Sequence, residues 1–371
     1  MNGSQSRALP QPRLLLFRLV AVLLLVALVG VAGEVSLRLS RAPQPLLVPH
    51  YDPAPLSVAW IAAPGGGRAP VYHPGDTTSH CYDRTVGSSH HWDREGQAPD
   101  GTPVGCVSYR IAASGFRDAL GETPAGDRIP VAVLGDSFTF GEGVTEPQRF
   151  TERLSESLER TQPGRFQIRN RGVQGANLDT ELNLYRARVS DEHPRIVVYA
   201  FVPNDAQPFL ETLHDGTFLR ATPWRMPSEP LWRRSRFLDW LSRRFAAWLT
   251  AGTTVDHIRA SFEGEQGRHF DASLEALANE TKADGARLVI LVFPMTPGLS
   301  GDPASYPFGF VHEHLDHLAE RLAIPHVDLY PSVASWAKDR VWVHPTDPHP
   351  SPELHALAAE KLEPLVVASS D

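Results

Sequence analysis

The sequence has little cysteine and no excess of basic residues. Its 371 residues include only two cysteines, Cys81 and Cys106, too few for a disulfide-built fold or a cysteine zinc site. Lys and Arg number 35 against 43 Asp and Glu, and this net charge of −8 argues against a nucleic-acid partner. The sequence also lacks a repeat of solenoid period and a phosphate-binding loop of the Gly-x-x-x-x-Gly-Lys type. These absences exclude disulfide-rich scaffolds, repeat proteins and P-loop enzymes.

One long apolar run is present, at residues 14–33, after a polar tail at 1–13. A helix of about 20 residues spans the roughly 30 Å of a membrane's hydrocarbon core. Two interpretations are open: an uncleaved membrane anchor, or a secretory signal with small residues at Val31 and Gly33 before a cleavage point. The length favours a single-pass anchor, and the arginines before it favour a cytoplasmic tail. Both interpretations make the rest of the chain extracytoplasmic, either periplasmic or extracellular.

The cysteine pair fits such an oxidising compartment. A Cys81–Cys106 disulfide would close a loop of about 26 residues and stabilise the fold by roughly 3 kcal/mol in the chain-entropy model. The alternative is two buried free thiols, because pairing cannot be deduced from sequence. We expect the disulfide.

Composition changes at residue 129. Residues 34–128 are rich in Pro, Gly, His and Asp and predict a loop-rich extension. From 129 to 371, short apolar runs alternate with amphipathic helical patterns, which predicts an α/β domain with a parallel sheet covered on both faces. The predicted strands are 129–134, 166–170, 195–202, 287–293 and 326–329.

A Trp- and Arg-rich insertion interrupts this domain at residues 208–265. Its centre, residues 231–249, predicts a helix with one apolar and one basic face. It could lie on a membrane surface or over the active site. An amphipathic helix packed on its own domain is the favoured interpretation.

Polar residues follow the predicted strands, where the ligand site of an open α/β sheet forms. Ser137, in Gly-Asp-Ser, comes directly after the first strand, at a strand-to-helix corner. Gly175 would let a backbone N–H approach a ligand, and the Asn204 amide could donate to a developing oxyanion. His349 could act as general base for the serine, with Asp347 holding its other ring nitrogen. A turn glycine at Gly175, and an Asx turn or helix cap at Asn204, are the plainer alternatives.

A serine, a glycine, an asparagine and a histidine motif thus follow one another along the chain. In this order, the motifs resemble those of the SGNH, or GDSL, hydrolase superfamily, over residues 129–370. The resemblance implies a flavodoxin-like three-layer α/β/α sandwich, with Ser137 as nucleophile and His349 as base. It implies an oxyanion hole made by the Ser137 N–H, the Gly175 N–H and the Asn204 side chain. We expect no metal and no cofactor. The final block departs from the common Asp-x-x-His, because Asp347 stands only two residues before His349, and a loop-capping role is its alternative.

Taken together, these features predict a membrane-anchored, extracytoplasmic serine esterase, a carboxylic ester hydrolase. Its expected substrates are O-acyl esters of a carbohydrate, an envelope glycan or a lipid, and its N-terminal helix would contact the membrane. An O-acyltransferase using the same residues is one alternative. A catalytically silent glycan-binding protein and a phospholipid-directed hydrolase are the others.

Overall fold

A computed structural model describes most of the chain. By its contacts, the chain divides into an N-terminal unit, Met1–Gln44 with Leu219–Ala251, and a main unit, Pro45–Phe218 with Gly252–Asp371. The described residues are 11–39, 50–52, 55–82, 105–118, 126–207, 235, 237–238, 240–241, 253–344 and 347–370.

The N-terminal unit is built on one long helix, α1, at Gln11–Leu39. Its segment Leu15–Leu39 is long and apolar enough to cross a membrane, and none of it is buried within the structure. A signal sequence would meet the same criteria, so both interpretations of the apolar run stay open. The helix extends six residues beyond the predicted end at residue 33. Most of the predicted helix 231–249 lies outside the described residues.

The extension contains more regular structure than its composition predicted. Its described residues form five short strands, where a loop-rich segment was expected. They are β1 (His50–Asp52), β2 (Val58–Ala62), β3 (Arg68–Tyr72), β4 (Thr77–Cys81) and β5 (Cys106–Arg110). Strand β4 pairs antiparallel with β1 and β5, and β2 pairs with β3. Strands of three to five residues are too short for a clear alternation pattern, which explains the difference.

The centre of the main unit is a parallel sheet of five strands. These are β6 (Ile129–Gly135), β7 (Phe166–Gly172), β8 (Ile196–Phe201), β9 (Arg287–Val292) and β10 (His326–Asp328). They lie in the order β7-β6-β8-β9-β10, which is the flavodoxin-like order 2-1-3-4-5. The predicted fold class is therefore confirmed.

Helices cover both faces of the sheet. Along β6, Val131 and Val133 belong to one buried cluster and Ala132 and Leu134 to the other, because successive side chains point to opposite faces. The helices are α2 (Ser137–Phe140), α3 (Phe150–Thr161), α4 (Leu178–Leu184), α5 (Thr253–Ser261), α6 (Gly264–Ala283), α7 (Gly309–Arg321), α8 (Tyr330–Val333), α9 (Lys338–Val341) and α10 (Pro352–Ala368). Helices α3 and α10 pack on one face, and α4, α6 and α7 on the other.

The extension shares this core. Its buried side chains Tyr72, Val107, Tyr109 and Phe116 belong to the same hydrophobic cluster as the helices α4, α6 and α7. The extension and the sheet therefore share the buried cluster on that face of the sheet. The division of the chain at residue 129 remains a prediction.

Candidate active site

Ser137 lies at the corner between strand β6 and helix α2, and it is buried. The carboxylate of Asp136 caps α2 by accepting a hydrogen bond from the Phe138 N–H at 2.8 Å. Close backbone packing is possible because Gly172 has no side chain: a Cβ there would stand 2.3 Å from the backbone nitrogen of Phe140. The glycine thus lets α2 begin directly against the neighbouring strand, which fixes Ser137 at the carboxyl edge of the sheet.

Asp347 and His349 lie on a strand of a hairpin, not in a loop as predicted. The hairpin consists of β11 (Trp342–His344) and β12 (Asp347–Pro350). Residues two apart on a strand project to the same face, so an Asp-x-His spacing lets the two side chains meet. The imidazole Nδ1 of His349 lies 2.5 Å from Asp347 Oδ1, and its Nε2 lies 2.9 Å from Ser137 Oγ.

Asn204 also reaches this site. It lies in a short 3-10 helix, Pro203–Ala206, directly after β8. Its Nδ2 donates to Asp136 Oδ2 at 3.2 Å, and the Ser137 hydroxyl lies 3.4 Å from the same oxygen. Gly175 lies in the turn after β7 with a φ of +74°, the left-handed region that favours glycine. Among the described hydrogen bonds of Ser137, Asn204 and His349, none involves Gly175.

The structure adds two residues that the sequence did not single out. Glu142 is buried, and its Oε2 lies 3.4 Å from His349 Nε2. Glu142 lies only five residues after Ser137, in the same glycine-rich stretch, and this closeness in the sequence could have marked it as a candidate site residue. Tyr82, from the extension, donates its hydroxyl to Asp347 Oδ2 at 2.6 Å. Nothing near Tyr82 in the sequence indicated this contact.

A serine hydroxyl beside an imidazole whose other nitrogen faces a carboxylate is an arrangement suited to nucleophilic attack on an ester carbonyl. In agreement with this geometry, a family model described as GDSL-like lipase/acylhydrolase matches residues 133–357. The chain belongs to this GDSL-like family. It is an esterase of the SGNH type.

The GDSL-like chain is similar to several solved structures, at low identity. One is the crystal structure of TesA, with 15% identity, a TM-score of 0.40, and coverage of 65% of this chain and 99% of the other. A lipase/acylhydrolase from Enterococcus faecalis has 15% identity and a TM-score of 0.41, over 64% and 95%. A two-domain esterase active on acetylated mannans has 17% identity and a TM-score of 0.40, over 66% and 50%. No curated protein matches the chain significantly.

In this GDSL-like site, neighbouring charges shift the pKa values of His349 and Asp347. Burial lowers the pKa of His349, but the carboxylates of Asp347 and Glu142 outweigh it and raise the pKa to about 10. Burial raises the pKa of Asp347, but the charge and hydrogen bond of His349 reverse this and hold the pKa well below its usual range. Both shifts favour the imidazolium beside a carboxylate, so the base form of His349 becomes more populated as the pH rises.

Proposed function

We propose that the protein hydrolyses O-acyl esters through an acyl-enzyme, with Ser137 as nucleophile, His349 as general base and Asp347 as the residue that orients the imidazole. The observation that carries this proposal is the 2.9 Å contact between His349 Nε2 and Ser137 Oγ. The membership of the chain in the GDSL-like family supports the same chemistry. The His349 side chain is about one-fifth exposed, so part of it remains accessible from solvent.

In the first half-reaction, Ser137 Oγ attacks the ester carbonyl while His349 Nε2 takes the hydroxyl proton. The tetrahedral intermediate collapses, and His349 returns that proton to the departing alcohol oxygen. In the second half-reaction, His349 deprotonates a water that attacks the acyl carbon, and then protonates Ser137 Oγ as the acid leaves.

The oxyanion would be stabilised by the N–H groups of Ser137 and Gly175 and by the Asn204 amide. The Asn204 amide has two N–H groups, and one donates to Asp136 Oδ2. Its second N–H is then the one that would donate to the oxyanion while that contact is kept. Asp136 in this scheme fixes the direction of the amide.

We propose a short acyl group on a polar alcohol, such as an acylated carbohydrate or envelope glycan, as the substrate. The support is the surface of the main unit: among its described residues, no large apolar side chain is exposed. The exposed large apolar side chains in the described part of the chain all belong to α1 or to residues 238–241. An enzyme that draws long-chain lipids from an interface needs an apolar rim around its site, and the described residues of the main unit do not offer one.

The test is a substrate panel. Purified full-length protein in detergent is assayed with p-nitrophenyl acetate, butyrate and laurate, and with acetylated xylan by acetate release. We expect the acetate ester and the acetylated glycan to be turned over and the laurate ester to be the poorest. A preference for laurate would overturn the carbohydrate assignment. Acyl transfer to an added oligosaccharide, seen by mass spectrometry without free acetate, would show that the protein is a transferase.

We further propose that α1 anchors the protein in a membrane, with the main unit on the extracytoplasmic side. The 25-residue apolar segment and the Cys81–Cys106 disulfide, a bond of oxidising compartments, support this location. In a bacterial host, the full chain is expected in the membrane fraction after alkaline carbonate, and protease added to spheroplasts should degrade it. A soluble mature protein that begins near residue 34 would show instead that the helix is a cleaved signal.

Removing the charge of Glu142 is expected to shift the pH dependence of the reaction. Only neutral His349 can accept the Ser137 proton, so kcat/KM of the wild type should rise with pH toward about 10. Glu142→Gln removes a negative charge that favours the imidazolium, so the pKa of His349 falls. The rise in kcat/KM should move to lower pH by about 1–3 units.

The measurement is a pH profile of kcat/KM between pH 5 and about 11 for wild type and variant. Glu363→Gln is the control, because Glu363 on α10 accepts hydrogen bonds only from the α3 hydroxyls of Ser157 and Thr161 among its described contacts. Its profile should superimpose on that of the wild type. An unshifted profile for a folded Glu142→Gln variant would contradict the electrostatic role of Glu142.

A further inference from the structure

We propose that Tyr82 is a positioning residue for the catalytic aspartate, and that the Cys81–Cys106 disulfide holds it in place. On this view the extension completes the active site and does more than link it to the membrane helix. The inference rests on the proposed function, because it gives Tyr82 a role in the reaction of Ser137.

The Tyr82 hydroxyl and His349 contact different oxygens of the Asp347 carboxylate. Oδ1 of Asp347 faces His349 Nδ1 at 2.5 Å, and Oδ2 accepts the Tyr82 hydroxyl at 2.6 Å. A carboxylate held at one oxygen can rotate about its side-chain bonds, whereas one held at both has a fixed plane. Tyr82 therefore sets the angle at which Asp347 meets the imidazole.

The tyrosine is suited to this role because it stays a donor. Burial raises the pKa of Tyr82 well above its ordinary value, and the neighbouring Asp347 charge raises it further. The hydroxyl thus keeps its proton throughout the range in which an esterase works. Its ring stacks on His344, with centroids 4.5 Å apart and planes inclined by 22°, so it is held from the hairpin side as well.

Contacts at the backbone of Tyr82 and space at its hydroxyl together fix where the residue lies. Its N–H donates to the Gly105 carbonyl at 2.8 Å, and the adjacent Cys81 is bonded to Cys106 across the paired strands β4 and β5. On the other side, Gly143 leaves room for the hydroxyl: a Cβ at Gly143 would lie 2.4 Å from the Tyr82 oxygen. The disulfide therefore links β4 to β5 at the position next to Tyr82, the residue that reaches the active site.

The first test compares Tyr82→Phe with wild type. Loss of a hydrogen bond to a buried carboxylate should lower kcat about ten- to hundredfold, with KM changed by less than about threefold. Tyr185→Phe is the matched control, since Tyr185 donates to Asp284 Oδ2 at the same 2.6 Å. Tyr185 belongs to the buried cluster on the other face of the sheet from α3. Its kcat should equal that of the wild type. An unchanged kcat in folded Tyr82→Phe would overturn the proposal.

A second readout does not depend on activity. The proton between His349 Nδ1 and Asp347 should give a downfield resonance in the proton NMR spectrum, assigned by its loss in Asp347→Ala. We expect Tyr82→Phe to shift this resonance or speed its exchange with water, and Tyr185→Phe to leave it unchanged. If the resonance stays the same in Tyr82→Phe, Tyr82 has no positioning role. If no ester is hydrolysed by the wild type, the proposed function fails, whereas this readout still tests Tyr82.

The disulfide is tested by a double-mutant cycle. Replacing both cysteines by serine should lower kcat in the same way, because Tyr82 then loses its support. Combining that change with Tyr82→Phe should add less than about threefold, since both changes act through the same contact. Fully multiplicative effects would show that the disulfide acts elsewhere, and the second part of the proposal would then be wrong.

Discussion

Ser137→Ala is expected to reduce kcat by about 10⁴- to 10⁶-fold while leaving the fold intact. The substitution removes the only atom of this side chain that can form an acyl-enzyme, and it leaves His349 Nε2 without the hydroxyl at 2.9 Å. Substrate contacts and oxyanion donors remain, so a small rate above the uncatalysed reaction should survive. The measurement is the steady-state rate on p-nitrophenyl acetate, with mass spectrometry of the intact protein for acyl-enzyme in wild type.

Ser273→Ala is the control for this experiment. Ser273 on α6 is buried and hydrogen-bonded to a carboxylate, Asp179 Oδ1 at 2.9 Å, so it matches Ser137 in environment. Its rate should equal that of the wild type. If Ser137→Ala keeps more than about a hundredth of the wild-type kcat, the reaction does not pass through a Ser137 ester.

The central sheet was predictable from sequence because of a physical constraint. A parallel strand covered on both faces is apolar along its whole length, and β8 (Ile196–Phe201) is buried at every position. The same topology brings Ser137 and Asn204 to one edge, since each follows a strand of the sheet. The parts of the site that depend on strand ends therefore follow from the order of apolar runs and polar residues along the chain.

The rest of the site depends on contacts that no local pattern reports. Tyr82 and Asp347 are 265 residues apart in the sequence, and their contact exists only because the extension packs into the domain core. Strand β12 was not among the predicted strands, and it contains Pro348 and Pro350, which strand interiors usually disfavour. Proline is tolerated there because β11–β12 is a two-stranded pair, in which both strands are edges.

The structure explains how Asp347 can serve His349 although its spacing differs from the family's common one. An Asp-x-His spacing looked irregular beside the family's common Asp-x-x-His. On a strand, however, the two residues share a face, and the backbone N–H of His349 also donates to Asp347 Oδ1 at 3.0 Å. The shorter spacing is therefore the one that the hairpin requires.

Asp347→Asn is expected to lower kcat by about 10⁴-fold with little change in KM. Two donors hold the carboxylate, the Tyr82 hydroxyl at Oδ2 and the His349 backbone N–H at Oδ1, and an asparagine has only one acceptor oxygen for them. In either orientation the amide lacks the negative charge that stabilises the imidazolium formed when His349 takes the Ser137 proton. With its NH₂ toward His349 Nδ1, it also forces the ring proton onto Nε2, and that nitrogen then cannot take a proton from Ser137. Steady-state kinetics on p-nitrophenyl acetate measures the loss, and circular dichroism checks the fold.

The matched control is Asp328→Asn. Asp328 accepts from His312 Nδ1 at 2.9 and 3.0 Å, and the other nitrogen of His312 lies 3.0 Å from the Tyr306 hydroxyl. This aspartate–histidine pair ends strand β10, three strands from β6, or about 14 Å at the spacing of a sheet. Its loss can lower stability, but kcat per folded molecule should stay at the wild-type value. Equal losses in both variants would mean that Asp347 acts only on folding, and that His349 keeps its tautomer without it.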